Sequence, residues 1–199
     1  MTRRVAGLAA GAAAVVALAG AAAHPTHGGV AAYPYGPPPA RTGGFGEPSC
    51  HVCHFDNAAN EPGGTLSISG VPASWSAGQR YRLTVAVRQG ELQAGGFQLA
   101  SRFANAPNAG AQAGTLRSLD ERTQVPPAPG SAIQYASHAR PGVAPSGDGR
   151  IEWVIEWTAP AAAGGPVVFH ASALSGNGDG SPLGDRVYTT SVVARSAKP

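Results

Sequence analysis

Two thiols and two imidazoles fall within five residues, Cys50-His51-Val52-Cys53-His54. This is the C-x-x-C-H spacing of a c-type haem attachment sequence. Thiols so spaced can add to the two vinyl groups along one edge of a porphyrin, and a histidine directly after the second thiol lies under the ring with its imidazole toward iron. Cys50 and Cys53 are the only cysteines in 199 residues, so the pattern does not come from a cysteine-rich background. The expectation is a covalent haem c held by Cys50 and Cys53, with His54 as proximal iron ligand.

The opposite face of such a haem needs its own ligand. The single methionine is Met1, which leaves with the leader described below, so His/Met ligation is excluded by inventory. His51 lies between the tethers and points away from its own ring. His138 ends a strand-like run and is the candidate distal ligand; His170 is the weaker one, since it alternates out of the apolar set Val167, Phe169, Ala171 and Ala173. Bis-histidine ligation predicts a lower reduction potential than His/Met. Rival readings of the same cysteines are a Cys50–Cys53 disulfide, permissible in an oxidising compartment, and a zinc site completed by His54 or His51 and His138. A thioredoxin-like pair would need an α/β context that the rest of the chain does not offer.

Other residues carry weaker signals. Asn177, Asp179 and Asp185 place side-chain oxygens around glycines, which could hold Ca2+, but the bidentate glutamate of an EF-hand is missing and a plain Asn/Gly/Asp turn explains them as well. Trp75, Trp153 and Trp157 are expected in the core or against a haem. No nucleophile triad, P-loop or dinucleotide fingerprint occurs, so no enzyme class is assigned.

These residues need elements to position them. Residues 1–23 have the form of an export signal: Arg3 and Arg4, an apolar run from Val5 to Leu18, then Ala21-Ala22-Ala23 before His24. The run is too short to span a bilayer, so the mature chain is expected to be periplasmic or secreted and not membrane-spanning. The whole chain has a formal charge of +3, from 14 basic and 11 acidic residues. Removing Arg3 and Arg4 leaves 12 basic residues against those 11, which takes away the support for a nucleic-acid partner. Residues 24–41 form a Gly/Pro-rich arm that includes Pro37-Pro38-Pro39 and carries His24 and His27, expected to be partly disordered. Residues 42–63 carry the haem-binding segment, 64–194 the folded domain, and 195–199 a tail.

From Gly64 onward the apolar period is two. Tyr81, Leu83, Val85 and Val87 share one face, as do Ile151, Trp153, Ile155 and Trp157 opposite Glu152 and Glu156. Such alternation marks half-buried antiparallel strands. Further strands are expected at 64–70, 96–104, 131–137, 167–174 and 186–194, with a loop-like connection from 106 to 130. Seven or so short strands with Gly/Pro/Asn/Asp turns and no long amphipathic helix predict an all-β, immunoglobulin-like antiparallel sandwich. Ser49 is the expected N-cap of one short turn carrying the cysteines.

The order Thr42-Gly43-Gly44-Phe45-Gly46-Glu47, Cys50-x-x-Cys53-His54, Gly96-Phe97-Gln98-Leu99, Tyr135-Ala136-Ser137-His138, Trp157-Thr158-Ala159-Pro160, Val168-Phe169-His170-Ala171 and Gly184-Asp185-Arg186-Val187-Tyr188 resembles the bacterial choice-of-anchor V family, related to the Reeler (reelin amino-terminal) domain. The resemblance covers about residues 42–193. It implies an extracytoplasmic β-sandwich with a C-x-x-C-H segment near its start. Two functional expectations follow: a monohaem cytochrome-like electron carrier, working with a redox protein or a membrane electron-transfer complex, with haem-based gas sensing as its variant; or a non-enzymatic extracellular Reeler-like adhesion or interaction domain in which a Cys50–Cys53 disulfide staples a loop.

Overall fold

The computed structural model describes residues 33–162 and 164–197. The export signal and both arm histidines, His24 and His27, lie outside the described residues. Among the described residues the chain forms ten strands: β1 (Gly64–Ser69), β2 (Ser74–Trp75), β3 (Arg80–Gln89), β4 (Ala94–Phe103), β5 (Thr115–Ser118), β6 (Thr123–Gln124), β7 (Ala136–His138), β8 (Arg150–Thr158), β9 (Val167–Gly176) and β10 (Arg186–Ser196). They build an all-β sandwich of two sheets, β1-β3-β8-β5 and β2-β10-β9-β4-β7-β6. Every pairing is antiparallel except β2 with β10.

The period-two alternation closes the core. Leu83, Val85 and Val87 from β3 and Ile151, Trp153, Ile155 and Trp157 from β8 face Phe97 and Leu99 from β4 and Phe169, Ala171 and Ala173 from β9. Ring pairs cross between the sheets: Phe97 stacks on Trp153 at 4.6 Å between centroids, and Phe169 meets Trp157 edge-on at 4.8 Å. Each buried indole N–H finds a carbonyl: Trp75 on Gly165, Trp153 on Gly142 and Trp157 on Ala113. The tryptophans are therefore inter-sheet core residues.

Three short strands were not expected from the sequence: β2, and β5 and β6 within the connection from 106 to 130. The expected strand over 131–137 shrinks to Ala136–His138, because Gln134 serves instead as a side-chain bridge, accepting from Leu116 N through its Oε1 and donating its backbone N–H to Gln112.

The two sheets differ in what covers their outer faces. β8 alternates between buried and more exposed positions, with one face toward solvent. By contrast, β4 is buried at every interior position and β9 nearly so. Register places Ala94, Gly96, Gln98, Ala100 and Arg102 of β4 beside Gly176, Leu174, Ser172, His170 and Val168 of β9 on the outer face. That face is small and polar rather than apolar, and the N-terminal residues preceding β1 lie across it.

Candidate functional site

The cover is built from side chains of the sheet reaching into the backbone of the arm. Gln98, itself buried, accepts from Arg41 N–H and donates to Pro38 O at 3.0 Å. Gln124 donates to Tyr35 O and to His138 O, and Arg140 donates to the Tyr35 hydroxyl at 2.9 Å. His138 completes the strap: its Nδ1 accepts from Phe97 N–H at 3.1 Å and its Nε2 donates to Tyr33 O at 3.0 Å. Burial holds the His138 pKa below the ordinary histidine range, and a ring that accepts at Nδ1 and donates at Nε2 has no place for a second proton. The ring lies where a side chain on residue 96 would stand: a Cβ on Gly96 would come within 2.5 Å of its Cε1.

Further along the outer face, Gly44 and Phe45 cover His170. A Cβ on Gly44 would meet the His170 ring at 2.4 Å, and Phe45 stands edge-on to it at 5.4 Å. Burial, and then the Arg102 charge, lower the His170 pKa. Beside it lies a buried polar knot, in which Glu47 pairs with Arg102 and accepts from the Tyr135 and Thr42 hydroxyls at 2.5 and 2.6 Å. Arg102 also lies over the Phe45 and Tyr135 rings. A carboxylate removed from water is tolerable here because its oxygens meet a guanidinium and two hydroxyls.

The C-x-x-C-H residues follow directly. Ser49 caps a single 3-10 turn over Cys50–Val52, its hydroxyl accepting from His51 N–H at 3.2 Å, as its position in the sequence implies. Cys50 N–H donates to Ser172 Oγ at 3.1 Å, which seats the turn on β9. His51 Nε2 lies 2.9 Å from Asn57 O, away from the sheet. His54 Nδ1 stands 2.7 Å from Asp185 Oδ2, and the other oxygen of that buried carboxylate accepts from Asn177 N–H. Both thiols are free, so the expected Cys50–Cys53 disulfide is not formed in this structure. Burial pushes the Cys50 thiol above its ordinary range, an effect that the Ser172 hydrogen bond only partly offsets. A thiol held protonated is a poor nucleophile and a poor metal ligand.

Asn177, Asp179 and Asp185 are joined by their own turn hydrogen bonds. Asp179 N–H donates to Asn177 Oδ1, Ser181 N–H to Asp179 Oδ1, and Gly184 N–H to Asp56 across the gap. The oxygens read from sequence as Ca2+ ligands thus serve to shape the loop.

Between the strapped arm, the cysteine turn and this loop lies a cavity of about 250 Å3. Gly96, Phe97, Val143 and Leu174 contribute to its walls from the sandwich, Tyr33, Pro37 and Pro38 from the arm, and Cys50, Val52 and Cys53 from the turn. Arg41 stands on the arm side, and His54 and Asp185 on the loop side. Around it, Val52, Phe55 and Leu183 are 54%, 59% and 49% exposed, an apolar fringe on the elements that border the opening. Sequence reasoning missed the cavity, because Arg41 and the prolines that form its wall lie in the stretch read as a loose arm.

No family model matches the chain, and no curated protein matches it. Among solved structures it is similar to the human F-spondin reeler domain (21% identity, covering 70% of this chain and 96% of that one, TM-score 0.47). It is similar also to the Reelin-N domain of F-spondin (19%, 75% and 98%, TM-score 0.48) and to a cohesin module from a Clostridium perfringens family 33 glycoside hydrolase (14%, 68% and 96%, TM-score 0.42).

The expectation of a haem-bearing electron carrier, and with it the gas-sensing variant, is corrected. Both nitrogens of His138 are engaged by the backbone of Phe97 and Tyr33, so it is not a distal iron ligand. His170 is packed under Gly44 and Phe45 rather than turned toward His54. Among the described residues no three His, Cys, Asp or Glu side chains stand where they could hold a metal ion, which also removes the zinc site.

Proposed function

We propose that this chain is a non-enzymatic, extracytoplasmic interaction domain, and that its binding site is the apolar cavity at the end of the six-stranded sheet. The observation that carries this reading is the cavity itself. It is a concave apolar site framed by a few polar groups, with half-exposed Val52 in its wall. The chemistry around it is quiet. Cys50 is held as a thiol and His54 is tied to Asp185. The export-signal pattern of residues 1–23 supports an extracytoplasmic site of action, and among the described residues no helix is long and apolar enough to cross a membrane. The ordered motifs that resemble those of the choice-of-anchor V family are in keeping with the same compartment.

The test is titration with 1-aminoanthracene, a small neutral dye that brightens in apolar surroundings. Saturable binding at one site is expected, lost in Ala94→Phe, which fills the cavity from the β4 side, and weakened in Val52→Glu at the exposed fringe. No fluorescence gain, or a gain unaltered in both variants, would overturn the proposal.

A further inference from the structure

The wall of the cavity is not electrically even. On the loop side the Asp185 carboxylate is already engaged by His54 Nδ1, 2.7 Å away. On the arm side Arg41 has no carboxylate partner among the described residues. Its Nη1 donates to Ala40 O at 2.9 Å and to Pro39 O at 3.3 Å, and its backbone N–H is taken by Gln98. These contacts fix the base of the side chain and one nitrogen of the guanidinium; its Nε and Nη2 make no hydrogen bond among the described residues. A half-buried guanidinium with donors to spare, at the edge of an otherwise apolar space, suits a carboxylate in charge, planarity and hydrogen-bond geometry.

We infer that the cavity takes a small apolar molecule ending in a carboxylate, its apolar body against Leu174, Val143, Pro37 and Pro38 and its head group on the Arg41 guanidinium. The inference rests on the cavity being the binding site, and it adds the ligand's class and orientation. At about 250 Å3 the space is at the small end for ligand sites, which points to a single short chain or one or two fused rings rather than a lipid with two tails.

The experiment displaces 1-aminoanthracene from the full chain with hexanoate, octanoate, decanoate and dodecanoate, and with the alcohol and the primary amine of ten carbons. Burying each added methylene tightens binding about four-fold until the cavity is full, after which the series levels off. A hydrogen-bonded charge pair makes decanoate about ten- to hundred-fold tighter than decanol, with decylamine the weakest of the three. Arg41→Gln removes the preference for the acid, bringing decanoate close to decanol in affinity, whereas Arg41→Lys keeps part of it. Equal affinity for acid, alcohol and amine would overturn this inference while leaving the cavity a binding site. Failure of every compound, and of the dye, would overturn both. Should Arg41→Gln not fold, the three ten-carbon compounds on the unaltered chain decide the matter alone.

Discussion

On the outer face a missing side chain is paired with an imidazole at Gly96 and His138, and replacing Gly96 by Ala tests that packing. The new methyl would sit 2.5 Å from His138 Cε1 and 2.7 Å from its Nδ1, against atoms of a ring held at both nitrogens. Gly96 is not among the residues with positive φ, so alanine suits the backbone and the strain is purely one of contact. Either the ring stays and the strand bends, an overpacking cost of about 1–3 kcal/mol, or the ring leaves. In the second case Phe97 N–H loses its acceptor in a buried place, costing about 1–3 kcal/mol. Gly96→Ala is therefore expected to destabilise by about 1–3 kcal/mol, read as a lowered urea midpoint with unchanged slope. The decisive comparison is a double-mutant cycle with His138→Ala. With the ring gone the methyl has room, and alanine recovers the roughly 0.5–1 kcal/mol that glycine costs in a strand, so the substitution becomes neutral or mildly stabilising. A cost for Gly96→Ala that is the same with and without the His138 ring would refute this account of the packing.

Several further outcomes follow from the same contacts. His138 and His170 both have lowered pKa values in the folded chain, so each takes up a proton more readily when unfolded; stability is full above the ordinary histidine pKa of about 6.5 and falls as pH drops through it, for His138 with a limiting slope of about 1.4 kcal/mol per pH unit. Urea midpoints from pH 7.5 to 5 read this, and His138→Gln is expected to flatten the profile. Glu47→Gln leaves Arg102 buried without its countercharge and is expected to cost about 3 kcal/mol in the same assay, while Glu152→Gln, whose pair with Arg150 is exposed, stays within about 0.5 kcal/mol. Because burial raises the Cys50 thiol, iodoacetamide at pH 8 is expected to modify it more slowly than it modifies glutathione, and denaturant is expected to remove the difference; peptide mass spectrometry follows the rates.

The sandwich was legible because its core strands obey a period of two and carry residues that only an inter-sheet core would bury. Ile151, Trp153, Ile155 and Trp157 announce one face of β8, and all four are fully buried. The cysteine turn was legible too, since Ser49 stands where an N-cap belongs. What the sequence concealed is the second buried face of β4 and β9. Apart from Val168 and Leu174, its residues are small or polar, among them Ala94, Gly96, Gln98, Ala100, Ser172 and His170, and nothing in so mixed a set signals burial by periodicity. They are buried because an incoming backbone, not a set of side chains, covers them. Backbone carbonyls and amides need polar partners, which Gln98, Gln124 and His138 supply. A histidine recruited to hold a carbonyl has the same letter as one recruited to hold iron, so His138 and His170 read as ligands in the sequence, although the arm lies on the first and Gly44 and Phe45 on the second.

The position of the cavity follows from how that cover is laid down. The arm crosses the outer face at Tyr33–Arg41, tied by His138 and Gln98; the chain then turns and crosses again at Gly44–Cys53, seated by His170 and Ser172. Ser172 and His170 lie beneath the second crossing, but Leu174 and Gly96, the next outer-facing pair along β9 and β4, line the cavity instead. The two crossings share anchors on a single strand pair, so loosening one must change the wall that the other provides. Substitutions that release the arm without touching the cavity's apolar floor, such as Gln98→Leu, are therefore expected to weaken binding of 1-aminoanthracene and of carboxylates alike. Gln98→Leu binding both ligands as tightly as the unaltered chain would mean that the arm is only a lid over a site formed elsewhere.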